Sequence, residues 1–156
     1  MFKLAAGFLV FLALWVPTAL AKDRLASATL VLFNSNDPES AELARYYASK
    51  RSISAAQVIG FDLPAGEEIT REVFNRQIAA QLRNQLIEKG WWSVRQLPGG
   101  DTRVFDTRIR FLALMRGFPL KISSDPSIEL PPPMEGIPPA VSGRNEASVD
   151  SELAAM

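Results

Sequence analysis

The sequence predicts an α/β domain with a mostly parallel sheet in three layers, Rossmann-like or flavodoxin-like in the broad sense. Two observations predict it. Three short apolar runs, near residues 28–33, 58–63 and 109–115, are rich in strand formers, and such runs suit strands buried on both faces. Between them lie amphipathic segments long enough for helices, and strand–helix–strand alternation implies crossover connections and parallel pairing.

Ahead of the first run, Lys3 is followed by eighteen uncharged, mostly apolar residues, Leu4 to Ala21, and then by Lys22-Asp23-Arg24. A basic start, an apolar peak at Phe8–Leu14, Pro17 and the small-residue exit Ala19-Leu20-Ala21 make a secretory signal peptide over residues 1–21. The chain is therefore expected outside the inner membrane, periplasmic or secreted. The rival reading is a retained N-terminal anchor, since about 20 apolar residues can span a bilayer. The chain has no cysteine, so neither a lipidated cysteine nor a disulfide is available.

The core is expected over residues 22–122. Thr29–Phe33 is the first strand, stopped by the turn cluster Asn34-Ser35-Asn36-Asp37-Pro38. Asp37 reads as an N-cap, Pro38 as the first helical residue, and Glu39 sits where the helix dipole favours an anion. That helix runs to about Arg51, with Ala41, Ala44, Tyr47 and Ala48 on its inner face. Val58–Leu63 is the second strand. Thr70 caps a second helix in which Phe74, Ile78, Leu82 and Leu86 recur at steps of four, with Val73 and Ile87 widening the stripe and Lys89-Gly90 ending it. Pro98-Gly99-Gly100-Asp101 is the turn of a surface hairpin. Ile109–Met115 is the third strand, ending at Arg116-Gly117, and Phe118–Ile122 is expected to continue it in extended form. Six of the eleven prolines fall between Pro126 and Pro139, so residues 123–146 read as a proline-rich surface loop outside the sheet. Residues 147–156 read as the start of a further helix, with Ser148 or Asp150 near its cap and Leu153 facing inward. Three strands under two or three helices leave a sheet edge uncovered, which predicts an incomplete domain, a piece of a longer protein.

Composition excludes several functions. Without residues 1–21 the chain holds 135 residues, 16 basic and 17 acidic, a net charge of −1. That overall balance carries no footprint for nucleic acid or acidic lipid. Histidine is absent as well as cysteine, which removes Ser-His and Cys-His catalysis and zinc sites that need nitrogen or sulfur ligands. Neither a G-x-G-x-x-G nor a G-x-x-x-x-G-K-[ST] loop occurs, so no nucleotide cofactor is expected.

Ligands of open α/β sheets gather at the carboxyl ends of the strands. The candidates there are Asn34, Asn36 and Asp37 after the first strand, and Arg116 and Gly117 after the third. The bland reading of the first group is a turn plus a helix cap. Arg116 could clamp a carboxylate or phosphate, or pair with Asp37 or Asp150 to close the top of the sheet. Asp150 and Glu152 complete the candidate set, but two residues apart on a helix they point to different sides, so no metal site is expected. Trp91-Trp92 reads as a packing plug.

Four segments match one ordered pattern: Asn34-Ser35-Asn36-Asp37-Pro38-Glu39-Ser40, Ala44-Arg45-Tyr46-Tyr47-Ala48 with Lys50-Arg51, Gly117–Ile122, and Ala147-Ser148-Val149-Asp150-Ser151-Glu152-Leu153. Together they resemble an uncharacterised family of exported bacterial proteins from species that carry exosortase-type protein-sorting systems. Members of that family look longer than this chain. The resemblance brings no established activity, so it implies no catalytic residue; it marks Asn34, Asp37, Gly117, Asp150 and Glu152 as pattern positions. The leading expectation is an exported, envelope-associated binding or accessory module with an envelope protein as partner, touching the inner membrane only through an uncleaved signal segment. The alternative is the scaffold half of a caspase-like or gingipain-like hydrolase whose Cys-His pair lies outside this chain.

Overall fold

The computed structural model describes residues 24–130, 132, 136, 138 and 143–156. The signal segment and most of the Pro131–Pro133 and Pro138–Pro139 runs lie outside the described residues. In chain order the elements are β1 (Thr29–Asn34), α1 (Pro38–Arg51), a 3-10 turn (Ala55–Gln57), β2 (Val58–Phe61) and β3 (Glu68–Ile69). There follow α2 (Arg71–Val73, a π-helical stretch Phe74–Ala79, then Ala80–Glu88), β4 (Trp92–Gln96), β5 (Thr102–Thr107) and β6 (Phe111–Leu114). β7 (Lys121–Ile122), β8 (Ala147–Ser148) and α3 (Val149–Ala154) follow.

The fold is α/β, and the strands of the described residues lie in three small sheets. β2, β1 and β6 form a parallel sheet in that order, with β1 in the middle. Neighbouring residues of a strand face opposite ways, and β1 separates two apolar clusters accordingly. Val31 meets Ala44 and Ala48 of α1 together with Ile53 and Met115. Leu30 and Leu32 join Ile59, Phe61, the Phe74–Ile78–Leu82–Leu86 stripe of α2, and Val149 and Leu153 of α3. The small side chains of Ala44 and Ala48 let α1 lie close on the sheet. Gly60 of β2 serves a similar end, since a Cβ there would stand 2.7 Å from the ring of Phe33.

The helix caps form as the sequence predicts. Asp37 accepts from the N–H groups of Glu39 (3.0 Å) and Ser40 (3.3 Å), and Thr70 from Val73 (3.2 Å). Of the two candidates for α3, Ser148 is the cap, accepting from Ser151 N–H at 3.2 Å. The hairpin β4–β5 also forms, antiparallel, with Leu97 N–H donating to Asp101 across the turn at 2.7 Å.

Two expectations need correction. Phe118–Ile122 does not extend β6. Gly117 adopts φ +84°, the chain turns, Phe118 N–H donates to Met115 carbonyl at 3.0 Å, and β7 enters a second sheet, parallel to β3 and antiparallel to β8. Phe118 instead turns inward and meets Phe61 edge to face at 5.8 Å. Ile87 does not widen the core stripe, being 37% exposed. Apolar residues at steps of four drift about 40° per step on an α-helix of 3.6 residues per turn. The wider π turns between Phe74 and Ala79 pull that drift back, so a narrow stripe of four stays buried.

The proline-rich excursion is pinned at its neck. Asn145 Oδ1 accepts from Ser124 Oγ (2.7 Å) and Asp125 N–H (2.9 Å), while its Nδ2 donates to the Asp125 carbonyl (2.6 Å).

Candidate functional site

The carboxyl ends of β1, β2 and β6 bring Asn34, Asn36, Asp37, Arg116 and Gly117 together. Asn34 is the centre, a polar side chain only 2% exposed. Its Nδ2 donates to the carbonyls of Gly117 (3.2 Å) and Pro64 (3.4 Å). Its Oδ1 accepts from the N–H groups of Asn36 (3.0 Å) and Leu63 (3.3 Å). One amide thus joins the ends of all three parallel strands. Below it, Ser40 is fully buried and its Oγ accepts from Asn34 N–H at 3.2 Å. Asn36 Nδ2 donates to Asp62 Oδ1 and to the Leu63 carbonyl.

This constellation binds to itself. The first free N–H groups of α1, where an anion would sit, already face the Asp37 carboxylate. Gly117 packs against that carboxylate so closely that a Cβ on it would collide with Asp37 Oδ2. Arg116 pairs with Glu39 rather than with Asp37 or Asp150. Both partners are largely exposed (73% and 69%), so the pair contributes at most about 1 kcal/mol. The turn-and-cap reading is the one the geometry favours here.

Asp150 and Glu152 lie apart from this group, on opposite sides of α3 as their spacing implies. Glu152 pairs with Arg71 of α2 at 2.8 Å, and Arg71 also donates to the Asn145 carbonyl at 3.5 Å. Asp150 borders an apolar cleft of about 350 Å³ between α2, α3 and β6. Leu82, Leu86, Trp92, Leu112, Leu114 and Leu153 form its wall, and among the described residues Arg110 and Asp150 are the charged side chains that line it. Trp92 is therefore part plug and part cleft wall.

The cleft flanks an open edge. β6 pairs with β1 on one side, and among the described residues no strand takes the other. Phe111, at the mouth of the cleft, is 50% exposed. An unpaired edge beside apolar side chains is what β-sheets usually cover or charge. The uncovered edge was anticipated from the strand count; the cleft was not, because its wall joins the α2–β4 stretch to β6 and α3, which lie well apart from it and from each other in sequence. Arg71, Ser40 and Gln57 were also missed, since an isolated polar residue gives no periodic signal of burial.

Comparison with family models, with curated proteins and with solved structures found no significant match.

Proposed function

We propose that the chain is an exported, envelope-associated binding or accessory module on a Rossmann-like, three-layer core, and that it binds through the open edge of β6. A single observation supports this reading: among the described residues no strand pairs with the outer edge of β6, and the apolar cleft lies directly beside that edge. The ligand with matching chemistry is an extended segment of another envelope protein, adding as a strand and placing alternate apolar side chains in the cleft. Main-chain hydrogen bonds would supply affinity, and the Trp92–Leu112–Leu153 wall would choose side chains.

The test is an NMR titration of the chain beginning at Lys22 with eight-residue peptides that alternate Val or Leu with Thr. Binding should move the amides of Phe111–Leu114 before those of the hairpin, and Leu112→Asp should abolish the movement while the spectrum stays dispersed. Peptides that leave the β6 amides unmoved, or that bind the variant equally, would reject the reading. Export is checked separately: N-terminal sequencing of the protein from cells should begin at Lys22, and recovery of Met1 in the membrane fraction would favour the anchor.

A further inference from the structure

Charge is segregated along α1. Its anions, Glu39 and Glu42, lie in the first half, and its cations, Arg45, Lys50 and Arg51, in the second. Glu39 is already engaged by Arg116. Because β1 and β2 are parallel neighbours joined through α1, the helix must run back along the sheet. Its basic end therefore lies at the amino end of the strands, where the chain enters β1.

At that end a broad depression is lined by Leu25, Tyr46, Tyr47, Lys50, Arg51 and Phe111. Leu25 and Tyr46 are 57% and 61% exposed. Lys50 stands 5.3 Å above the Tyr46 ring, and Arg51 stands 5.7 Å above that of Tyr47. Aromatic rings topped by cations, with a leucine beside them, match the water–lipid boundary, where one end of a side chain is apolar and the other wet.

The entry to β1 is clamped. The Ala26, Ser27 and Thr29 carbonyls converge on Gln57 Nε2 at 3.0, 3.1 and 2.7 Å. Thr29 Oγ1 donates to the Leu25 carbonyl at 2.8 Å. Leu25 is thus held at a defined place on the rim of the depression. Only four residue steps separate it from Ala21, the last residue of the uncharged segment, and four extended residues reach at most about 14 Å. While Leu4–Ala21 is in a bilayer, this surface cannot be far from the headgroups.

We propose that the amino end of the sheet, built from Leu25, Tyr46, Tyr47, Lys50 and Arg51, is a seat for the headgroups of an anionic bilayer. It is engaged while the apolar segment is in the membrane, and it turns the strand carboxyl ends away from the lipid. The overall charge of about zero does not oppose this, because screening within about 8 Å at physiological salt leaves the local cations in control.

The experiment uses the full chain in lipid nanodiscs carrying spin-labelled headgroups, in phosphatidylcholine alone or with one third phosphatidylglycerol. Amides of Tyr46–Arg51 should broaden more than those of Asp62–Leu63 and Arg116–Gly117, and more strongly with phosphatidylglycerol present. Each cation near an anionic surface contributes about fivefold in partition. The chain beginning at Lys22, carrying Lys50→Gln and Arg51→Gln together, should therefore bind phosphatidylglycerol vesicles about 25-fold more weakly than its parent. Both side chains are exposed, so a thermal melt confirms that the variant is folded. Equal broadening at both ends of the sheet, or binding indifferent to phosphatidylglycerol and to the two substitutions, would overturn the proposal.

Discussion

At the scale of single residues, Asn34 carries the most structure per atom. Replacing it with Ala leaves the Leu63 N–H and the Gly117 and Pro64 carbonyls without their partner at the top of the sheet. Buried groups left unpaired cost about 1–3 kcal/mol each when water cannot reach them. Asn34→Ala is therefore expected to destabilise by about 2–4 kcal/mol, seen as a fall in urea midpoint with little change in slope. A loss below about 0.5 kcal/mol would show that the three loops hold without it. Gln77 makes the opposite case. Among the described residues its Oε1 is buried with no hydrogen-bond partner, inside the π-helical stretch of α2. Gln77→Met keeps the length and removes the orphan acceptor, so a gain of about 1 kcal/mol is expected from the same measurement. An unchanged or lowered midpoint would mean that the acceptor is satisfied by water.

At the scale of elements, the neck of the proline-rich loop is a local device whose acid sensitivity has a definite sign. Asp125 accepts from Ser127 through both its hydroxyl (2.6 Å) and its N–H (2.9 Å). These bonds hold the Asp125 carboxyl below the usual carboxylate range, side-chain bond first. A depressed folded-state pKa means that the turn's contribution is complete above the ordinary carboxylate pKa and is lost as pH falls through the folded value. The Ser127 amide should accordingly titrate with a midpoint lower than a model aspartate, and Asp125→Asn should remove the titration. A normal midpoint would mean that the turn does not form in solution. The contrast between elements shows what the sequence makes legible. α1 and the hairpin could be bounded closely, because Asp37-Pro38 and Pro98-Gly99-Gly100-Asp101 are local signals acting within four residues. β3, β7 and β8 could not: each is two residues long, so there is no alternation to read, and their pairing is fixed by tertiary contacts. The candidate site divides the same way. The cap role of Asp37 was readable, whereas the Glu39 partner of Arg116 and the Arg71 partner of Glu152 lie more than seventy residues away in the chain.

At the scale of the molecule, β1 holds everything together. Among the described residues it is the one strand of the parallel sheet paired on both sides, and Leu30, Val31 and Leu32 are completely buried. Its partner β6 is about eighty residues further along, so the sheet closes only after a long loop has been ordered. The hairpin differs in each respect. It is two-stranded, it is mostly exposed along β5, and isolated hairpins are marginally stable in water. Opening it costs little of the core, whereas freeing β1 requires separating α1 from one face and α2 from the other. Native-state hydrogen exchange should therefore divide into two classes. Amides of Leu30–Phe33 should exchange only through global unfolding, with a denaturant dependence equal to that of the whole protein. Amides of Val94–Gln96 and Arg103–Phe105 should exchange through local opening, faster by orders of magnitude and nearly independent of denaturant at low concentration. If the hairpin amides followed the same denaturant dependence as β1, hairpin and sheet would form one cooperative unit. The cleft wall at Trp92 would then be as rigid as the core, and a strand-adding ligand at β6 would find its side-chain pocket preformed. Local opening predicts instead that Trp92 adjusts on binding, so the same ligand should slow exchange in β4 as well as at Phe111–Leu114.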